Sequence, residues 1–260
     1  MLLALDVGNT QIYGGVFDGG ELKLRFRRTS KGQAASDELG VFFKAALREN
    51  GVDPASIDEV AICSVVPELI YPLVQASAKY FKSEPFVLQA GIKTGLNLKY
   101  KNPQEIGADR IANAIAATSL FPGRDLVIVD LGTATTFCAV SAAKEYLGGV
   151  IMPGLRLSME SLSSGTAKLP RVEIARPPAL VGKTTVEGIQ SGLYHGNLFA
   201  IKGIVAGIKE QNFGGDALAV GTGGFSKLFE DAGVFDKVVP DLVLHGIAEA
   251  VKLSKEKKTK

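Results

Sequence analysis

Residues 2–17 read LLALDVGNTQIYGGVF, and residues 126–140 read LVIVDLGTATTFCAV. Each stretch is an apolar strand running into an acid, an aliphatic residue, a glycine and hydroxyl side chains, followed by a second apolar strand. One such turn is an ordinary hairpin, since short motifs recur by accident. Two copies in register, with Asp130 standing where Asp6 stands, predict a duplicated domain in which each half begins with the same antiparallel meander. The acids raise a chemical question. A carboxylate at the end of a buried strand costs several kcal/mol unless a cation or hydrogen-bond donors meet it, so Asp6 asks for a partner.

Working outward, ELKLRFR (21–27) completes the first meander, with turns marked by GN and DGG. Apolar residues at helical spacing from Ser36 to Asn50 predict a helix, capped by Ser36 and stopped by Gly51. VAICSVV (60–66) reads as a strand, Glu68 to Phe81 as a helix and PFVLQ (85–89) as a strand. Alternating strands and helices argue an α/β fold. The glycines, asparagines and proline of residues 91–105 predict a loop leading into the alanine-rich helix of GADRIANAIAATSLF. A third glycine element, DALAVGTGGFSKLFEDAG (216–233), reads as a strand, a glycine turn and a helix whose N-terminus offers free amide donors. Neither a P-loop nor GxGxxG occurs, so phosphate has to be held another way.

Composition narrows the class. The 260 residues are 46% hydrophobic and 22% charged, as expected of a globular chain with a sizeable core. The 29 basic and 27 acidic residues mix along the sequence, which argues against nucleic acid as the main partner. The basic run from Lys252 to Lys260 reads as a solvated tail. Cys63 and Cys138 stand singly in apolar surroundings, as structural thiols of a reducing compartment. His195 and His245 have no ligand spacing for zinc. With no basic n-region and no uncharged membrane-length stretch, the expected location is cytoplasmic.

The set DVGNT (6–10), Y-x-N-P (100–103), GADR (107–110), DLGTATT (130–136), GGVIMPG (148–154), AKLP (167–170), GKTTVEGIQSG (182–192) and GTGG (221–224) resembles the type III pantothenate kinases. These belong to the acetate kinase, sugar kinase, Hsp70 and actin superfamily. The resemblance covers nearly the whole chain, and its specificity lies in the set. It implies two ribonuclease H-like domains, residues 1–118 and 119–260, each a mixed five-stranded sheet flanked by helices, with nucleotide in the interdomain cleft. It also implies transfer of the ATP γ-phosphoryl group to the primary hydroxyl of pantothenate.

Residue by residue, the resemblance implies that Asp6, Val7, Gly8, Asn9, Thr10, Gln11, Ile12 and Tyr13 form the first phosphate motif, with Asp6 near Mg²⁺ bound to the ATP phosphates. Gly132 and Thr133 would touch phosphate, and Gly221, Gly223 and Gly224 belong to the nucleotide site. Asp130 would bind a monovalent cation, K⁺ or NH₄⁺. Asp109 would be the general base, though an acid in the first turn of a helix also has a dipole-stabilising role. Gly107 and Ala108 would let the pantothenate chain pass close to the backbone, and Tyr100 would lie along it. Arg110 would bind substrate or make an ion pair. Thr185 would reach pantothenate from the neighbouring subunit of a homodimer, or else cap a helix. Lys101 and Thr184 depart from the family, which commonly has an acid and an asparagine there. Two other readings remain in view: a non-catalytic actin-like nucleotide-binding regulator, and a kinase for another small hydroxyl compound.

Overall fold

The computed structural model describes residues 1–30, 34–92 and 94–256; Lys93 of the expected loop and the last four residues of the basic tail lie outside them. The first meander forms as β1 (Leu2–Val7), β2 (Gln11–Asp18) and β3 (Glu21–Thr29). After it come α1 (Ser36–Glu49), β4 (Glu59–Ser64), α2 (Pro67–Ala76) and β5 (Phe86–Leu88). β1, β2 and β3 pair antiparallel while β4 and β5 add in parallel, giving the order β3-β2-β1-β4-β5. Ser36 is not the cap of α1: Ala35 occupies that position without a side-chain bond, and Asp37 and Glu38 place negative charge in the first turn instead.

Next in the chain are β6 (Asn97–Leu98), α3 (Ala108–Leu120), β7 (Leu126–Leu131), β8 (Ala134–Val140), β9 (Glu145–Pro153), α4 (Leu155–Gly165), α5 (Thr185–Phe213), β10 (Leu218–Thr222), β11 (Lys237–Val238) and α6 (Leu242–Glu256). The second sheet runs β11-β10-β7-β8-β9-β6. Its meander β7-β8-β9 and parallel strands β10 and β11 repeat the first sheet, so the duplication legible in the sequence is present in the topology. The sheet has six strands rather than the expected five. The open edge of β9 is filled by the segment read as loop, with Asn97 N–H donating to the Lys144 carbonyl at 2.9 Å and Lys99 N–H to that of Tyr146 at 2.9 Å.

By packing, one compact unit holds Met1–Leu96, Tyr100–Ser119 and the chain from Leu242 on, and the other holds Asn97–Lys99 and Leu120–Asp241. The closing helix therefore departs from the expected 119–260 domain. α6 packs on β1 and β4, and Gly246 sits so close to the Ala112 carbonyl of α3 that a side chain there would overlap it. In the first unit Leu3, Leu5 and Val7 of β1 and Val60 and Ile62 of β4 face a core shared with Leu39, Phe43 and Leu47 of α1 and Leu69 and Leu73 of α2. In the second, Val127, Val129, Leu131 and Phe137 pack with Leu155, Tyr194, Leu198 and Ile201. Strand alternation turns the intervening residues, Asp6 and Asp130 among them, to the opposite face of each sheet. No helix among the described residues is long and apolar enough to cross a membrane.

Candidate active site

Asp6 pairs in register with Cys63 of the parallel neighbour β4. By the same alternation both side chains turn away from the α1/α2 core. Cys63 is fully buried; burial pushes its thiol pKa well up, and the carboxylates of Asp6 and Asp109 add to the effect. The thiol thus lies beside Asp6 and feels the charge of both acids. By sequence alone Cys63 is a structural thiol; its place beside Asp6 depends on the β1–β4 register.

Asp109 stands in the first turn of α3, half-buried, and its Oδ1 accepts the Arg110 N–H at 2.7 Å. Burial pushes its carboxyl above the ordinary range, against the lowering effect of that N–H and of the Arg110 charge. Arg110 is itself buried. Tyr100 is half-buried, and the neighbouring Asn102 Nδ2 donates to Glu105 Oε1 at 3.0 Å. Lys101 is exposed.

In both acid-glycine turns the glycine amide closes the hairpin. Gly8 N–H donates to the Gln11 carbonyl at 3.0 Å, and Gly132 N–H to that of Ala134 at 3.1 Å. Val7 and Ile12 are buried in the core, so their part in any phosphate site is confined to main chain. Asn9 and Gln11 are exposed and Thr10 is half-buried. Tyr13 lies under the Arg27 guanidinium, 3.9 Å from its ring centroid.

In the second unit, Asp130 is half-buried at the end of β7 and Thr133 is exposed in the turn, where its carbonyl accepts the Gly154 N–H at 3.1 Å. That bond ties GGVIMPG to the second motif. In GTGG, Gly221 is buried against the Phe235 ring, and Gly223 faces Asp130 and the Leu131 main chain. Gly224 is exposed, with nothing near the position a side chain would take. Of the three, Gly224 alone has open space beside its Cα, whereas Gly221 and Gly223 are packed against the chain itself. The helix expected after GTGG is a short run of tight turns, Ser226–Ala232, and Ser226 Oγ donates to the Gly223 carbonyl at 2.8 Å.

Thr184, not Thr185, caps α5: its hydroxyl accepts the Glu187 N–H at 3.2 Å, while Glu187 Oε2 accepts the Lys183 N–H at 2.7 Å. Thr185 is exposed in the first turn beside a cavity of about 870 Å³ between α4 and α5, lined also by Leu157, Ser158 and Leu162. No group of three His, Cys, Asp or Glu gathers as a metal cage among the described residues. Asp6 and Asp130 each present a single carboxylate at a strand end. That suits Mg²⁺, which keeps water and takes substrate phosphate oxygens, and an oxygen-bound monovalent cation. His195 stacks on Phe199 and His245 meets Phe17 edge-on, so both pack among aromatics.

The family model for type III pantothenate kinase matches residues 2–207. The chain is 57% identical over 255 residues to a type III pantothenate kinase of Legionella pneumophila, covering 98% of this chain and 99% of that one. It is 50% identical over 252 residues to one of Elusimicrobium minutum, covering 96% and 98%. Among solved structures it is similar to a Baf family protein of Campylobacter jejuni, at TM-score 0.61 and 21% identity over 99% of this chain and 100% of that one. It is also similar to a ROK hexokinase of Thermus thermophilus, at TM-score 0.53 and 14% identity over 98% and 99%. These last two likenesses establish fold alone.

Proposed function

The chain belongs to the type III pantothenate kinases, phosphotransferases that phosphorylate pantothenate with ATP in coenzyme A biosynthesis, and on that premise we propose how its residues divide the reaction. Asp109 is the general base that accepts the proton of the pantothenate hydroxyl as the γ-phosphoryl group arrives. The observation that carries this is its environment: a half-buried carboxyl held by the Arg110 N–H, with its pKa raised by burial toward the operating pH, where a base works best. In a loose phosphoryl-transfer transition state the remaining work is positioning and charge neutralisation.

Asp6 and its turn, with Asn9 and Gln11 exposed and Thr10 half-buried, face the phosphates. Asp6 would hold the Mg²⁺ carried with ATP, which would supply charge neutralisation there, and Asp130 would hold a monovalent cation, K⁺ or NH₄⁺. Thr133 contacts phosphate and Gly224 lets the nucleotide approach main chain. Tyr100, Ala108 and Arg110 line the acceptor.

Thr185 acts on pantothenate bound by a partner subunit, which makes the active form a homodimer. Two observations support this. Thr184 takes the capping role and leaves Thr185 exposed, and Leu157, Leu180, Val181 and Val186 expose apolar surface on the same unit. Apolar surface of this kind marks association sites. The buried thiols Cys63 and Cys138 support a cytoplasmic setting.

The test is ADP release with ATP, Mg²⁺ and K⁺, with and without pantothenate, in the wild type and in Asp109→Asn. Pantothenate-dependent turnover that collapses in the variant while ATP still binds is the expected result. Undiminished turnover in Asp109→Asn removes the base assignment.

A further inference from the structure

We infer that Gly107 is a positioning residue for phosphoryl transfer: the hydrogen it carries in place of a side chain leaves the space in which the Asp109 carboxylate lies. A methyl group built at Gly107 would overlap Asp109 Oδ1. Everything else nearby is at ordinary contact distance, with Asp109 Cγ and Val65 Cγ1 each 3.5 Å away.

The main chain gives no other reason for glycine here. Gly107 is not among the glycines with positive φ, so its conformation is open to any L-residue. Its carbonyl accepts the N–H groups of Arg110 at 3.1 Å and Ile111 at 3.2 Å, as any residue leading into a helix can. Among the chain's own atoms, glycine at 107 answers to one side-chain oxygen two residues further on.

That oxygen is the one bonded to Arg110 N–H, which sets the plane of the carboxylate. A methyl at 107 breaks this arrangement without touching any backbone, because the group that must move is the tip of a side chain with two rotatable bonds. The steric effect of the substitution therefore falls on Asp109. A misplacement of about 1 Å at a reacting group can cost as much as 10²-fold in rate.

This inference rests on Asp109 being the base. The experiment measures steady-state kinetics and thermal melting of Gly107→Ala, Asp109→Asn and the double variant. Gly107→Ala is expected to fold and melt as the wild type does, with KM for ATP within about twofold and kcat lower by about tenfold or more. Added to Asp109→Asn, the alanine should remove little further activity, because there is no base left to misplace. A Gly107→Ala enzyme with wild-type kcat overturns the inference. So does a loss that multiplies in full onto that of Asp109→Asn, or a Gly107→Ala chain that fails to fold. If Asp109→Asn itself keeps full turnover, it is the base assignment that fails.

Discussion

Gly223 packs against the Asp130 carboxylate in a left-handed backbone conformation, φ +86°, and a side chain there would overlap Asp130 Oδ1 and come within 2.7 Å of the Leu131 amide nitrogen. The GTGG turn and the second acid motif are therefore fitted to each other directly. Here, unlike at Gly107, the obstacle includes backbone. Gly223→Ala is expected to cost about 1–3 kcal/mol, seen as a lower melting temperature, and to weaken ATP binding measured by calorimetry. A variant that melts and binds as the wild type would show that this packing is dispensable.

The raised pKa of Asp109 has two consequences for pH. As a base it works deprotonated, so kcat/KM should fall as pH drops through a value above the ordinary carboxylate range. For stability the sign is opposite: a carboxyl whose folded pKa exceeds its unfolded one favours folding while protonated, and that contribution is lost as pH rises through the folded pKa. Asp109→Asn should accordingly melt higher than the wild type at neutral pH, with the difference shrinking as the buffer approaches the ordinary carboxylate range. A pH-independent difference in melting would contradict burial as the cause.

Thr184 holds the start of α5 through the Glu187 N–H. Removing the cap in Thr184→Ala should cost about 1 kcal/mol in thermal or urea unfolding, whereas Thr184→Asn, an equally good cap, should unfold like the wild type. Equal losses in both would place the effect elsewhere than the cap.

If Thr185 serves the partner's pantothenate, mixing subunits tests it. Asp109→Asn and Thr185→Val homodimers should each be nearly inactive. Unfolding and refolding them together should regain activity, since one site of each mixed dimer combines an intact Asp109 with an intact Thr185. No regain, with exchange verified by mass, would place both residues in one subunit's site.

Val181, 79% exposed, offers a direct probe of association. Val181→Asp should lower the mass measured by sedimentation from dimer to monomer and reduce pantothenate turnover with it. A monomeric wild type would end the homodimer reading.

Much of the fold was legible because the two motifs repeat one local grammar: apolar strand, acid, glycine turn, apolar strand. Alternation placed Leu3, Leu5 and Val7 in the core and left Asp6 on the other face. Less was legible where backbone edges or main-chain contacts decided the outcome. Asn97 and Leu98 look like loop and become a sixth strand because β9 has an open edge. Ser36 looks like a cap and is not one, while Thr184 looks like a departure and is the cap.

The sequence by itself determined the duplication, the identity of the paired acids and, through the ordered motif set, the kinase family, because these depend on residue type and spacing. Only the tertiary structure decided that Cys63 lies beside Asp6, that α6 packs with the first sheet, and that Gly107 and Gly223 leave room for Asp109 and Asp130. Those facts rest on strand register and on the few ångströms between a Cα and a carboxylate. Cys63 and Asp6, or Gly223 and Asp130, are joined across long stretches of chain, and even between Gly107 and Asp109 the side-chain conformation that brings them together is not written in residue type or spacing.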